Sequence, residues 1–272
     1  MKMLQNKPRA TTLVVAMAVL VLSGCASVNF DNSLAKANQD TTEFTKGKLE
    51  LAQTQEQRSA QEEKAARYLA QPLSQGDAVQ LALVNSPALQ AMLAQNWADA
   101  ANAAQTGRIV NPTFTFERST FLDEVEIGRR LTFGLLDLIT LPQRLGIAER
   151  GIARAQIQLT SDVVDQVTQV RQAWVKAVAA KQNLMYAQQV NGAAEVSADL
   201  ARRLQAVGNF TKLQRARQQA FYADAATQFA SAQHDAMATR EALNRALGLT
   251  EAQSKYLKLP DRLPDLPKSP SS

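Results

Sequence analysis

Pro112-Thr113-Phe114-Thr115-Phe116-Glu117-Arg118-Ser119 and, a little further on, Glu124-Val125-Glu126-Ile127-Gly128-Arg129-Arg130-Leu131-Thr132-Phe133 are the stretches that decide the fold. In the first, Phe114 and Phe116 alternate with Thr113, Thr115 and Glu117. In the second, Val125, Ile127, Leu131 and Phe133 alternate with Glu124, Glu126, Gly128, Arg130 and Thr132, and Arg129 breaks the apolar side. Successive side chains of a strand point to opposite faces, so this period of two predicts two strands with one oily and one wet face. Their length is about what a tilted strand needs to cross an outer membrane. Phe114, Phe116, Val125, Ile127, Leu131 and Phe133 are therefore candidate membrane-facing residues. A soluble β-hairpin packed on a helix has the same pattern, and the hairpin alone leaves both readings open.

Outward from the hairpin, the sequence is helical. After Pro142 the apolar period runs to about Val207, with Val163, Val167, Val170, Trp174 and Ala177 at steps of four and three and Leu184 continuing the phase. Gly208-Asn209 breaks it. A further helix from Thr211, a capping residue, reaches Leu247 and stops at Gly248; Phe221, Ala225, Ala232, Ala236, Leu243 and Ala246 mark its seam. Before the hairpin, a helix from Ser74 to Thr106 is interrupted at Asn85-Ser86-Pro87. Ser86 can cap and Pro87 can take a first helical position, so the helix restarts at once, and Gly107 ends it. The middle helix of about 66 residues spans roughly 100 Å, close to the summed length of the flanking helices. One long helix antiparallel to two shorter ones is the expected arrangement, with the hairpin at one end and the Gly208 turn at the other.

The ends set the compartment. Basic Lys2, Lys7 and Arg9 precede an apolar run from Leu13 to Leu22 and then Leu22-Ser23-Gly24-Cys25. About ten apolar residues are half a membrane span and fit the core of a signal peptide. Small residues before Cys25 match the lipobox of Leu22, Ser23 and Gly24, which makes Cys25 the expected lipid attachment site. Ala26, in place of an aspartate that retains lipoproteins in the inner membrane, directs the chain to the outer one. The expected divisions are a leader over 1–24, a lipid-anchored polar tether over 25–72 with a helix over Lys48–Leu69, a single repeat over 73–249 and an irregular Pro-rich tail over 250–272. The formal net charge of +5 falls by three when the leader leaves, which excludes a nucleic-acid footprint. Few aromatics and much alanine and glutamine favour long helices packed through small side chains.

Nothing in the pattern calls for catalysis, a cofactor or a metal. His234 is the sole histidine and lies mid-helix in a solvent-facing setting. Asp162 and Asp165, three apart near a helix start, read as a solvated face in preference to an acid pair. Trp174 and Phe221 read as seam fillers. No nucleophile elbow or phosphate loop occurs.

The order of these elements resembles one repeat of the TolC outer-membrane efflux protein family. Leu73-Ser74-Gln75-Gly76-Asp77-Ala78-Val79-Gln80-Leu81-Ala82-Leu83, followed by Asn85-Ser86-Pro87-Ala88-Leu89, is similar to the family's repeat opening. Asn111-Pro112-Thr113 resembles the lead-in to its first strand, Arg203 to Gly208 its helical tip, and Asn244-Arg245-Ala246-Leu247-Gly248-Leu249 its linker to a second repeat. The resemblance implies a mainly α fold of long antiparallel coiled-coil helices, with a two-stranded hairpin contributing to a transmembrane β-barrel. It implies an outer-membrane channel subunit for passive export of small molecules, metals or proteins, docked on a periplasmic adaptor and an inner-membrane pump. Arg202, Arg203, Gly208 and Asn209 are then the candidate adaptor contacts. The family has two repeats and closes twelve strands from three chains; one repeat implies about six copies, or a complementary half-channel, because an open sheet in lipid leaves backbone groups unpaired. Gln214 stands where the family often has an aspartate after the tip. The alternative is a non-conducting, truncated or accessory lipoprotein that packs against a full-length channel.

Overall fold

The computed structural model describes residues 29–109, 111–121 and 124–265. Four helices, α1 (Phe30–Thr45), α2 (Gln55–Leu69), α3 (Gln75–Asn85) and α4 (Pro87–Thr106), precede strands β1 (Thr113–Phe121) and β2 (Glu124–Thr132). Helices α5 (Leu135–Ala206), α6 (Lys212–Leu247) and α7 (Glu251–Ser254) follow. The fold is mainly α, with one two-stranded antiparallel sheet among the described residues.

Local chemistry sets the helix boundaries. Thr54 with Gln57, Thr211 with Gln214 and Thr250 with Gln253 each form a reciprocal capping box, which satisfies backbone donors that a helix start leaves open. Ser74 caps α3 through the Asp77 amide. Ser86 closes α3, and its hydroxyl accepts from the Leu89 amide at 3.4 Å as α4 begins on Pro87. The helix stops at Gly208 and Gly248 share one design. Each glycine is left-handed, and the following amide reaches back five residues, Asn209 to Leu204 and Leu249 to Asn244.

Four features differ from the sequence reading. The segment expected to be a tether holds α1 and α2. Asn29 starts α1 by accepting from the Asp31 amide, and Ala37, Thr41 and Thr45 bury one face at intervals of four. The helix expected from Lys48 begins at Gln55. The long helix begins at Leu135, ahead of Pro142, which lies within it. Proline removes one helical hydrogen bond there, while the ion pair of Asp137 with Arg144 at 3.1 Å brackets it. The tail contains α7 and is seated by buried Leu257 and Leu259.

The chain forms two compact units. In one, which takes the described residues up to Lys36 together with Ala94–Leu159, α4 and α5 run antiparallel through small side chains. Ala100, Ala104 and Ala148 are buried, and a Cβ on Gly151 would lie 2.9 Å from that of Ala103. Asn96 donates to the Ala155 carbonyl at 2.7 Å, and Arg144 donates to the carbonyls of Thr106 and Arg108. The Phe30 and Trp97 rings meet at 5.0 Å.

The other unit comprises Ala37–Leu93 and the chain from Thr160 onward. The expected α5 seam of Val163, Val167, Val170, Trp174 and Ala177 is buried. The Trp174 indole donates to the Leu73 carbonyl at 2.8 Å, and the Arg171 guanidinium lies 4.3 Å over the Phe44 ring. Further along, Ala187, Ala194 and Ala201 are buried at seven-residue intervals, as are Ala225 and Ala232 on α6. Methyl-sized side chains at a heptad spacing let two helices approach closely. Phe221 is not a seam filler: it is 51% exposed, and Ala225 one turn on takes the buried place.

Candidate functional site

In the hairpin, Phe114 faces Leu131, Phe116 faces Arg129, Arg118 faces Ile127 and Thr120 faces Val125. Directly paired residues share a face, so Phe114, Phe116, Val125, Ile127 and Leu131 lie on one side of the chain's sheet, and Phe133 follows just beyond the end of β2. The other side carries Thr113, Thr115, Glu117, Ser119, Glu126, Gly128, Arg130 and Thr132. The register adds a residue that alternation did not single out: Arg118 shares the apolar face with Arg129. Phe114, Phe116, Val125, Ile127, Leu131 and Phe133 are all at least half exposed. The described residues of the chain leave their apolar face uncovered. Among the described residues, neither outer edge pairs with another strand.

At the C-terminal end of α5, Gly208 has φ +84°, and the Asn209 amide donates to the Leu204 carbonyl at 2.8 Å. Positive φ is open to glycine and strained for β-branched side chains. Arg202 and Arg203 are exposed and both pair with Asp199; such surface pairs contribute at most about 1 kcal/mol and leave the guanidinium groups accessible. Arg215 of α6 donates to Gln205 of α5 at 3.1 Å, closing the turn from the side. Gln214 accepts from the Thr211 amide at 2.8 Å and so serves the helix cap.

Leu22, Ser23, Gly24 and Cys25 lie outside the described residues. His234 is exposed. Asp162 and Asp165 fall in the interior of α5 and not near its start, with Asp165 exposed. Among the described residues, no three His, Cys, Asp or Glu side chains gather as a metal cluster, and no helix is long and apolar enough to cross a membrane. The sequence reading missed the junction of Asn85 with the carbonyls of Leu247 and Gly248 at 3.2 and 3.0 Å. Its signal lay in the paired turn residues of Asn85-Ser86-Pro87 and Gly248, whose proximity no local pattern encodes.

Set beside known proteins, the chain matches no family model, and no curated protein matches it. The crystal structure of a membrane protein from Pseudomonas aeruginosa aligns with a TM-score of 0.43 at 18% identity, over 76% of this chain and 48% of that one. The chain thus spans about half the length of that structure.

Proposed function

We propose that this chain is a lipid-anchored subunit of an outer-membrane export channel, working by passive conduction with no chemistry of its own. The observation that carries the reading is the hairpin. Two nine-residue strands stand between long helices with one apolar face uncovered and both edges open, a half-solution to the burial problem that only assembly completes. Strands of about this length, alternating oily and wet, build barrels in which every edge is paired. The α5–α6 turn at Gly208 presents Arg202, Arg203 and Asn209 for a periplasmic adaptor, through which an inner-membrane pump delivers the exported molecule. Cys25 holds the chain to the membrane from the periplasmic side.

The test is to purify the chain from envelope membranes, weigh the assembly in detergent and measure ion conductance in planar bilayers. About six copies, or a complex with a complementary chain, that conducts would support the channel. A monomer without conductance would replace it with a non-conducting accessory lipoprotein.

A further inference from the structure

Below the hairpin, the chain passes from Phe133 through Gly134 into the first two turns of α5, Leu135-Leu136-Asp137-Leu138-Ile139-Thr140-Leu141-Pro142. These turns lie beyond the end of α4, which meets α5 at Arg144 and at Leu145, where Gly107 packs. Leu135, Leu136, Leu138 and Ile139 are all exposed, at 65%, 71%, 42% and 68%. Asp137, the one charged side chain of the segment, is held by Arg144 at 3.1 Å, and a helix segment whose exposed positions are otherwise apolar belongs in an apolar medium. From Gln143 on, polar side chains return to the exposed positions, with Gln143, Glu149 and Arg150, and Ile147 is an isolated apolar side chain among them.

The arginines of the apolar sheet face occupy its two middle rows. Counted from the turn, its rows are Thr120–Val125, Arg118–Ile127, Phe116–Arg129 and Phe114–Leu131, with Phe133 beyond. A bilayer centred on the hairpin would hold both arginines near mid-depth, at a cost of about 2–4 kcal/mol each; near the headgroups that cost falls to about 0–1 kcal/mol.

We propose that the start of α5, Leu135–Pro142, is immersed in the lipid bilayer as the inner part of the membrane band, and that Arg118 and Arg129 reach the headgroup phosphates at its outer edge. This rests on the membrane reading of the hairpin. At the usual strand tilt, the chain advances about 10 Å along the membrane normal from the Phe116–Arg129 row to Phe133. Eight helical residues add up to about 12 Å. The two together approach the ~25 Å apolar band of outer-membrane barrels, which the arginine-free rows of the hairpin do not fill alone. Long arginine side chains lay their methylenes along apolar surface while their charge reaches water or phosphate.

The experiment places a spin-labelled amino acid, by nonsense suppression in the full chain, at Leu136, Ile139, Leu131 and Arg150 in turn. Collision with oxygen, which concentrates in lipid, is compared with collision with a water-soluble nickel chelate. Labels at Leu136 and Ile139 are expected to favour oxygen as the Leu131 label does, while the Arg150 label favours nickel. Nickel-favoured labels at Leu136 and Ile139 beside an oxygen-favoured Leu131 would overturn the immersed helix and leave the membrane hairpin standing. Labels at Leu136 and Ile139 shielded from both agents would overturn it by assigning this surface to a second copy or another protein. A nickel-favoured Leu131 would remove the membrane reading and this inference with it.

Discussion

The Asn85 side-chain amide donates to the Gly248 carbonyl at 3.0 Å, which fastens the break between α3 and α4 to the end of α6. Gln253 completes the junction by donating to Asn85 Oδ1 at 2.9 Å. Gly248 is left-handed, and a Cβ there would lie 2.5 Å from Pro87 Cδ and 2.7 Å from Ser86 Cα. Gly248→Ala should therefore combine backbone strain with overpacking and destabilise by about 2–4 kcal/mol. Gly208→Ala, with φ +84° but open space around its Cβ, should cost only the strain, about 1–2 kcal/mol. Urea unfolding of the detergent-solubilised chain, followed by helical circular dichroism, compares them; equal losses would refute the packing argument.

A second glycine pair tests the α4–α5 contact. Gly151→Ala pushes a methyl to 2.9 Å from Ala103 and should cost about 1–3 kcal/mol, because the facing atom is itself a Cβ on a helix backbone. Gly146→Ala meets nothing within 4 Å and should stabilise by about 0.4–1 kcal/mol through helix propensity and reduced unfolded-state freedom. The same unfolding measurement separates them by sign, and a destabilised Gly146→Ala would contradict the placement of these faces.

In the hairpin, Leu131→Arg should weaken membrane insertion by an amount between the about 0–1 kcal/mol of the interface and the about 2–4 kcal/mol of the midplane, whereas Thr132→Arg on the opposite face should be tolerated. Resistance to alkaline or urea extraction from membranes reads the difference. Equal tolerance would mean that neither face meets lipid.

At the tip, Gly208→Val should disturb the turn while leaving the hairpin intact, because positive φ is strained for a β-branched residue. With a photoreactive residue at Asn209, the parent chain is expected to crosslink to a periplasmic adaptor encoded beside it, and the variant to lose that crosslink with unchanged membrane fractionation. Absence of any crosslink in the parent would count against the channel.

The anchor prediction is independent of the fold. Palmitate should label the parent chain, and Cys25→Ser should lose both label and leader cleavage. Undiminished labelling of the variant would remove the lipobox reading.

What was legible in the sequence was what local chemistry dictates. Thr211, Ser86-Pro87, Gly208 and Gly248 act through their own backbone and nearest neighbours, and each stands where expected. The strand pattern was equally local and gave both β1 and β2. Helix α1 was missed because its buried stripe is Ala37, Thr41 and Thr45, side chains too small or too polar to raise an apolar period. The start of α5 was missed for the opposite reason: Leu135 to Leu141 is apolar on several sides, so no face stands out. Arg118 went unremarked although a period of two puts it on the side of Phe114 and Phe116, because a charge there ends the oily pattern that marks the face. Phe221 was misplaced because a seam of alanines has no room for a ring. Residue size, and not hydropathy, decides such a contact.

The open strand edges also constrain symmetry. Copies standing the same way up in one membrane can continue an antiparallel sheet only by pairing the β1 edge of one with the β2 edge of the next, since β1 against β1 would run parallel. Antiparallel β1-to-β1 pairing would turn one copy upside down, which the proposed lipid anchor on a fixed side would forbid. The permitted contact is head-to-tail, so a homomeric assembly through these edges is a cyclic ring with no two-fold axis in the membrane plane; a rotation that failed to close would leave an open chain of copies.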